Sequence, residues 1–74
     1  MIYLVGTHQR CADKARDLQL NRRDYVELNS LDRTRGYRIY QNDQVIYLGG
    51  LDPRTTAEIH ESIRNSQLVY GWQS

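Results

Sequence analysis

The chain lacks most of the residues that build covalent, metal-bound or membrane-spanning structures. Cys11 is the single cysteine among 74 residues, which excludes an internal disulfide and a site with several cysteine ligands. No apolar run approaches the roughly 20 residues that a helix needs to cross a bilayer, and no basic segment followed by an apolar one suggests a secretory leader. We therefore expect a cytoplasmic protein with no membrane partner.

The aromatic residues of the chain are nearly all tyrosine, and five of its arginines are concentrated in one segment. Phenylalanine is absent, and six tyrosines and one tryptophan are the aromatic residues. The net charge is only +1, so no overall field selects nucleic acid. Five arginines form the one basic segment, which we expect to be a solvated surface rather than a phosphate-binding patch; weak nucleic-acid binding is the third-ranked alternative. These arginines are Arg22, Arg23, Arg33, Arg35 and Arg38.

Two apolar runs end on glycine and predict the fold class. Ile2–Gly6 and Val45–Gly50 are rich in β-branched and aromatic residues, and each precedes a polar turn and a helix-like stretch. Runs that are apolar on both faces are typical of strands buried in a parallel sheet. We predict an α/β protein, a minimal Rossmann-like β-α-β-β-α(-β) arrangement with a mostly parallel sheet of three or four strands. The first strand is expected at its centre.

The remaining elements follow from helical spacing and caps. Cys11, Ala15 and Leu18 place one narrow apolar face on a helix that starts at residue 8 or 9. A short strand is predicted over 25–28, and a helical turn capped by a serine over 30–36. Thr55 and Glu58 form a capping-box pattern for a second helix that ends near residue 66. A last short strand at 68–70 completes a single domain over residues 1–70, and 71–74 form a tail.

Residues 37–48 admit two interpretations. Tyr37 and Ile39 alternate with polar residues, and Asn42-Asp43 suits a turn, so an edge hairpin over 37–48 is favoured. The alternative is a loop over 37–43 that leads into one buried strand at 44–48.

The predicted sheet gathers the ends of its first and third strands, which makes this edge the best candidate for a small-ligand site. Helix N-termini there would present backbone N–H groups to an anion. The phosphate-binding glycine motifs are missing, however, and the glycines can simply terminate strands. The candidate ligand-binding residues are Gly6, Thr7, His8, Arg10, Gly49, Gly50 and Arg54.

No catalytic residue, cofactor or metal site is predicted. Cys11 lies on the apolar face of its helix, which favours a buried core residue over a reactive thiol. His8 and His60 do not have the spacing of metal ligands in the sequence, and no third metal ligand accompanies either of them. Enzymatic activity is therefore not expected.

Exposed tyrosine, tryptophan and arginine are enriched in interface hot spots, and this chain places several of them at an expected edge strand and tail. They could equally cover the chain's own small core. The candidate interface residues are Tyr37, Arg38, Tyr40, Tyr70 and Trp72.

Three segments carry a resemblance to a known group of proteins. They are the opening Met1–Thr7 with the following helix containing Ala12 and Ala15, the segment Leu31–Gly36, and Val45–Gly49. Together they resemble short α/β proteins encoded by phages of actinobacteria, mycobacteriophages among them, whose function is not established. The resemblance covers most of the chain, rests on structural motifs, and implies a phage accessory protein that acts in the host cytoplasm. It implies no catalytic residues.

These observations predict a small non-enzymatic accessory protein that acts by protein–protein interaction. A domain this small buries only about 60% of its unfolded surface, so self-association would add stability. We expect a homo-oligomer, with a host protein as a possible further partner. The alternative is a nucleotide- or phosphometabolite-binding module at the glycine-ended strands.

Overall fold

The structure, a computed structural model, describes residues 1–74 and contains a parallel sheet between helices. Three strands form the sheet in the order β2-β1-β3, with β1 at Ile2–Gly6, β2 at Tyr25–Leu28 and β3 at Gln44–Gly49. The helices are α1 at His8–Asp17, α2 at Leu31–Arg35 and α3 at Pro53–Tyr70, with one 3₁₀ turn at Arg22–Asp24. The predicted α/β class and the central position of the first strand are confirmed.

The two faces of the sheet are covered by different helices, which creates two cores. Tyr3 and Val5 of β1 pack with Ile59 and Ile63 of α3. Leu4 lies on the opposite face and packs with Cys11 and Ala15 of α1. Successive side chains of a strand point to opposite faces, so the unbroken apolar run of β1 supplies both cores.

The favoured hairpin over 37–48 is wrong, and the loop alternative is confirmed. No strand forms over residues 37–43, and the chain is extended in the sheet only from Gln44. Ile39 is instead fully buried in the α3-side core, and its N–H donates to Ser66 Oγ of α3 at 2.8 Å. Asp43 Oδ2 accepts the Tyr40 N–H at 2.8 Å and so turns the chain into β3. The alternation of Tyr37 and Ile39 predicted a hairpin with strand-to-strand hydrogen bonds, but this segment packs against α3 instead.

The predicted last strand at 68–70 is also wrong, because α3 continues to Tyr70. The helix ends at Gly71, whose φ of +66° disfavours other residues and whose N–H donates to Gln67 O at 2.8 Å. The tail is tied back to the loop, since Gln41 donates its N–H to Gly71 O at 2.8 Å.

The N-terminus of α3 is capped differently from the prediction. Asp52, rather than Thr55, is the N-cap residue, and Pro53 occupies the first turn, where its missing N–H costs nothing. Asp52 accepts hydrogen bonds from the Thr55 hydroxyl at 2.5 Å and from the Thr55 N–H at 3.2 Å. These bonds hold the pKa of the Asp52 carboxyl below its usual value. The proline therefore moves the helix start three residues upstream.

Strand β3 is not buried on both faces, contrary to the prediction. It lies at the edge of the sheet, and Tyr47 is 44% exposed. The apolar run of β3 looks like that of β1, but only β1 has a strand on each side.

Candidate functional site

The predicted ligand edge is assembled, but the protein's own side chains fill it. Gly6 pairs with Gly49, so the carboxyl ends of β1 and β3 meet. Arg10 lies over this junction, and its Nη1 donates to Leu48 O at 3.0 Å. A Cβ added at Gly50 would lie 2.9 Å from Arg10 Nε and from Thr7 Cγ2. The space above the glycines therefore accommodates Arg10 and Thr7.

The backbone at this edge explains two of the glycines. Gly49 and Gly50 have φ values of +82° and +87°, a region that other residues avoid. Thr7 caps α1, and its Oγ1 accepts the Arg10 N–H at 3.4 Å. Structural reasons thus account for the glycine endings without a ligand.

Two of the predicted ligand residues are not part of this junction. Arg54 is in the first turn of α3, exposed, and makes no hydrogen bond or salt bridge to a side chain. His8 turns toward β2 instead. The open hollow beside Arg10 is about 430 Å³ and mixes charges, because Asp13 and Asp17 line it together with Arg10 and Lys14. Phosphate binding at this edge stays a prediction.

A buried carboxylate beside α1 was missed by the sequence analysis. Glu27 of β2 is 9% exposed, and its Oε2 accepts a hydrogen bond from His8 Nδ1 at 2.9 Å. Its other oxygen, Oε1, is buried and has no hydrogen-bond partner. The sequence carried a signal for this position, because Glu27 is the only charged residue of the predicted strand 25–28. Alternation along a strand places its side chain on the same face of the sheet as that of Tyr25. An unpaired buried carboxylate oxygen costs stability.

Cys11 is confirmed as a core residue. It is fully buried, and its thiol donates to Leu4 O at 3.4 Å. Burial, reinforced by the negative charge of Glu27, raises the pKa of the Cys11 thiol from about 9 to about 11. The thiolate, which is the nucleophile, is therefore scarce at neutral pH.

We expect Cys11 to resist thiol reagents in the native protein. The raised pKa alone lowers the thiolate fraction about 100-fold at pH 8, and burial slows access further. The rate of labelling by a chromogenic disulfide at pH 8 is measured for the native protein and for the urea-unfolded protein, and the ratio of the two rates gives the protection of Cys11. Equal rates in the two states would contradict the buried position, and a Cys11→Ser variant gives the reagent background.

The predicted interface residues are partly brought together at the C-terminal end of α3. The Arg38 guanidinium lies 5.1 Å from the centre of the Tyr70 ring, and the Tyr40 ring is 6.1 Å from that of Tyr70. Tyr37 is separate, because it packs edge-on against Tyr3 at 6.0 Å. No edge strand carries Tyr37 and Tyr40, so that part of the prediction is wrong.

Three exposed apolar side chains adjoin this aromatic group. Leu68, Val69 and Trp72 are 72%, 75% and 70% exposed. Leu68 and Val69 were missed because residues 68–70 were predicted to form a last short strand. The helical stripe set by Ile59 and Ile63 would have found them, since the same spacing continued beyond Ser66 turns 68 and 69 outward.

We call this area the C-terminal surface. Its members are Arg38, Tyr40, Leu68, Val69, Tyr70 and Trp72. A hollow of about 370 Å³ adjoins it and is lined by Gln41, His60, Arg64, Gln67 and Leu68.

Comparison with known proteins identifies no family for the chain: no family model, no curated protein and no solved structure matches it. The resemblance to actinobacteriophage proteins therefore stays a prediction. No helix has both the length and the apolar character needed to cross a membrane.

Proposed function

We propose that the protein is a non-enzymatic interaction module that binds another protein through the C-terminal surface and also self-associates. The observation that carries the proposal is the exposure of Leu68, Val69 and Trp72 next to the Arg38–Tyr70 pair. Large apolar side chains exposed so close together in the chain of a small domain favour a protein-binding surface. In keeping with the predicted phage origin, the proposed partner is a protein of the host cytoplasm.

The hollow beside Leu68 indicates the chemistry of the partner. Leu68 offers an apolar wall, while Arg64 and Gln67 line the same hollow with donors. Arg38 adds a second guanidinium over the Tyr70 ring. The proposed ligand is therefore a peptide segment with an aliphatic or aromatic anchor flanked by a carboxylate, because guanidinium groups pair with carboxylates bidentately.

The surface is arranged so that binding does not require unfolding. Gln67 Nε2 donates to Tyr40 O at 3.2 Å, and Ile39 is bonded to Ser66, so the loop that carries Arg38 and Tyr40 is fixed to α3. A surface that is ordered before binding loses less entropy when the partner arrives.

The test is a peptide-display selection against the immobilised protein, followed by titration of the selected peptides. We expect peptides that contain an apolar anchor and an acidic residue. The triple variant Leu68→Ser, Val69→Ser, Trp72→Ser should weaken their binding at least about tenfold, the equivalent of about 1.4 kcal/mol. Arg64→Gln should weaken the binding of peptides with an acidic side chain more than the binding of the same peptides with that carboxylate replaced by an amide.

A matched control is Leu18→Ser, which removes an exposed leucine at the end of α1. It should leave peptide affinity unchanged. Unchanged affinity in the triple variant, or equal losses in the triple variant and in Leu18→Ser, would refute binding at the C-terminal surface.

A further inference from the structure

The two edge strands of the sheet, β2 and β3, differ in how well they are protected against pairing with a further strand. On β2, the Arg33 Nε donates to Glu27 O at 2.7 Å and so occupies an outward carbonyl. On β3, no backbone hydrogen bond outside the sheet and helices involves Val45 or Tyr47. The segment Gln44–Gly49 has no charged residue and no proline, the features that usually protect an edge strand.

The register shows which groups of β3 face outward. Gln44 donates its N–H to Met1 O at 3.2 Å, so its backbone is directed toward β1. Alternate residues of a strand direct their backbone groups to opposite sides. Val45 and Tyr47 therefore present their N–H and C=O groups to the open side of β3.

We propose that β3 pairs antiparallel with β3 of a second copy across a two-fold axis at Ile46, which joins two sheets of three strands into one of six. In this register Val45 faces the partner's Tyr47, and these two outward-directed residues exchange both backbone hydrogen bonds. The symmetry repeats the pair, so four ladder bonds form. This proposal rests on the self-association included in the proposed function and identifies β3 as the surface that mediates it.

The side chains favour this register because β3 is complementary to itself. Each Val45–Tyr47 pair joins a β-branched and an aromatic residue on one face, a combination that stabilises antiparallel ladders. The Ile46 side chains meet on the other face at the axis. No like charges face each other, since β3 carries none.

The flank of α3 leaves room for the added strand. Pro53, Thr56, Ala57 and His60 recur at helical spacing beside Tyr47 and line an open hollow of about 540 Å³. Tyr47 is held toward this hollow by a 2.7 Å hydrogen bond between its hydroxyl and His60 Nδ1. A fourth strand next to β3 would cover the exposed part of Tyr47 and the small side chains at 56 and 57.

The first test is the solution mass by sedimentation velocity from 5 to about 500 μM, a range that covers dimers of ordinary affinity. We expect a concentration-dependent dimer. Tyr47→Lys should weaken it at least about tenfold, because a charged side chain would then face Val45 of the partner. A monomer at every concentration would overturn the proposal.

The second test fixes the register. Residues directly opposite in a non-hydrogen-bonded pair are about 4.5 Å apart at Cα, within disulfide range. Ile46→Cys should therefore cross-link to a covalent dimer on mild oxidation, whereas Tyr47→Cys, about 7–8 Å from its symmetry mate, should not. Cross-linking of Tyr47→Cys but not Ile46→Cys would overturn this register.

The outcomes separate the two proposals. The Leu68, Val69, Trp72 triple variant should keep the dimer, and Tyr47→Lys should keep peptide binding. If the triple variant alone abolishes the dimer, self-association uses the C-terminal surface and the β3 pairing is wrong.

Discussion

Replacing Ile59 with alanine is expected to lower the free energy of unfolding by about 2–5 kcal/mol. Ile59 is fully buried between α3 and the sheet, where it packs with Tyr3 and Val5 of the central strand. A domain of this length has a total stability of roughly 4–11 kcal/mol, so the variant should lose a large fraction of it and, at the low end of that range, should be largely unfolded. Urea unfolding followed by circular dichroism at 25 °C measures the change.

Leu68→Ala, on the same helix, is the matched control. Leu68 is 72% exposed, and removal of an exposed side chain changes stability by no more than about 0.5 kcal/mol. Losses of similar size at Ile59 and Leu68 would contradict the continuation of α3 to Tyr70, because they would place residue 68 in a core.

Replacing Glu27 with leucine is expected to raise the free energy of unfolding by about 1–3 kcal/mol. The carboxylate is nearly buried, and Oε1 has no partner. Leucine has a similar volume, lies on the same face of β2 as Tyr25, and removes the unpaired oxygen. His8 is 69% exposed at its side chain, so its ring can return to water at little cost.

Two further variants separate the origins of this gain. His8→Ala removes only the partner of Oε2 and should lower stability, because it leaves a second carboxylate oxygen without a bond. Glu27→Gln keeps the shape and removes the charge, so it should fall between wild type and Glu27→Leu. A loss of stability in Glu27→Leu, measured by the same urea unfolding, would show that the His8–Glu27 pair stabilises the fold.

The open edge of β3 and the C-terminal surface give the protein two separable surfaces. Val45 and Tyr47 lie on the edge of the sheet, whereas Leu68 and Trp72 lie at the end of α3. A dimer formed through β3 would present two C-terminal surfaces, so a partner with two binding segments would be held by avidity.

The elements predicted correctly from sequence are those whose signals are local. β1 is apolar at every position because it lies between two strands and under two helices, and its glycine end and Thr7 cap follow in the chain. The spacing of Cys11 and Ala15 is enough to orient α1. The serine-capped turn at 30–36 is likewise confirmed, with Ser30 Oγ accepting the Arg33 N–H at 3.2 Å.

The incorrect predictions share one cause, which is that local patterns do not say what an element packs against. Ile39 alternates like a strand residue, yet α3 covers it and the loop forms instead. Leu68–Tyr70 is apolar enough for a strand, but no neighbouring strand is available and the hydrogen-bonded helix simply continues. The apolar run at Val45–Gly50 was predicted to be buried on both faces, yet Tyr47 is 44% exposed because β3 has only one neighbouring strand.

By itself, then, the sequence determined the α/β class, the central strand and the burial of Cys11, because glycine endings, apolar runs and helical spacing act within a few residues. Only the tertiary structure decided that Arg10 fills the space above Gly50, that Glu27 is buried beside His8, and that β3 lies at the edge of the sheet. These features depend on contacts between residues about 20 to 40 positions apart, such as Arg10 with Leu48 and His8 with Glu27. Such contacts exist only after the chain has closed around the sheet.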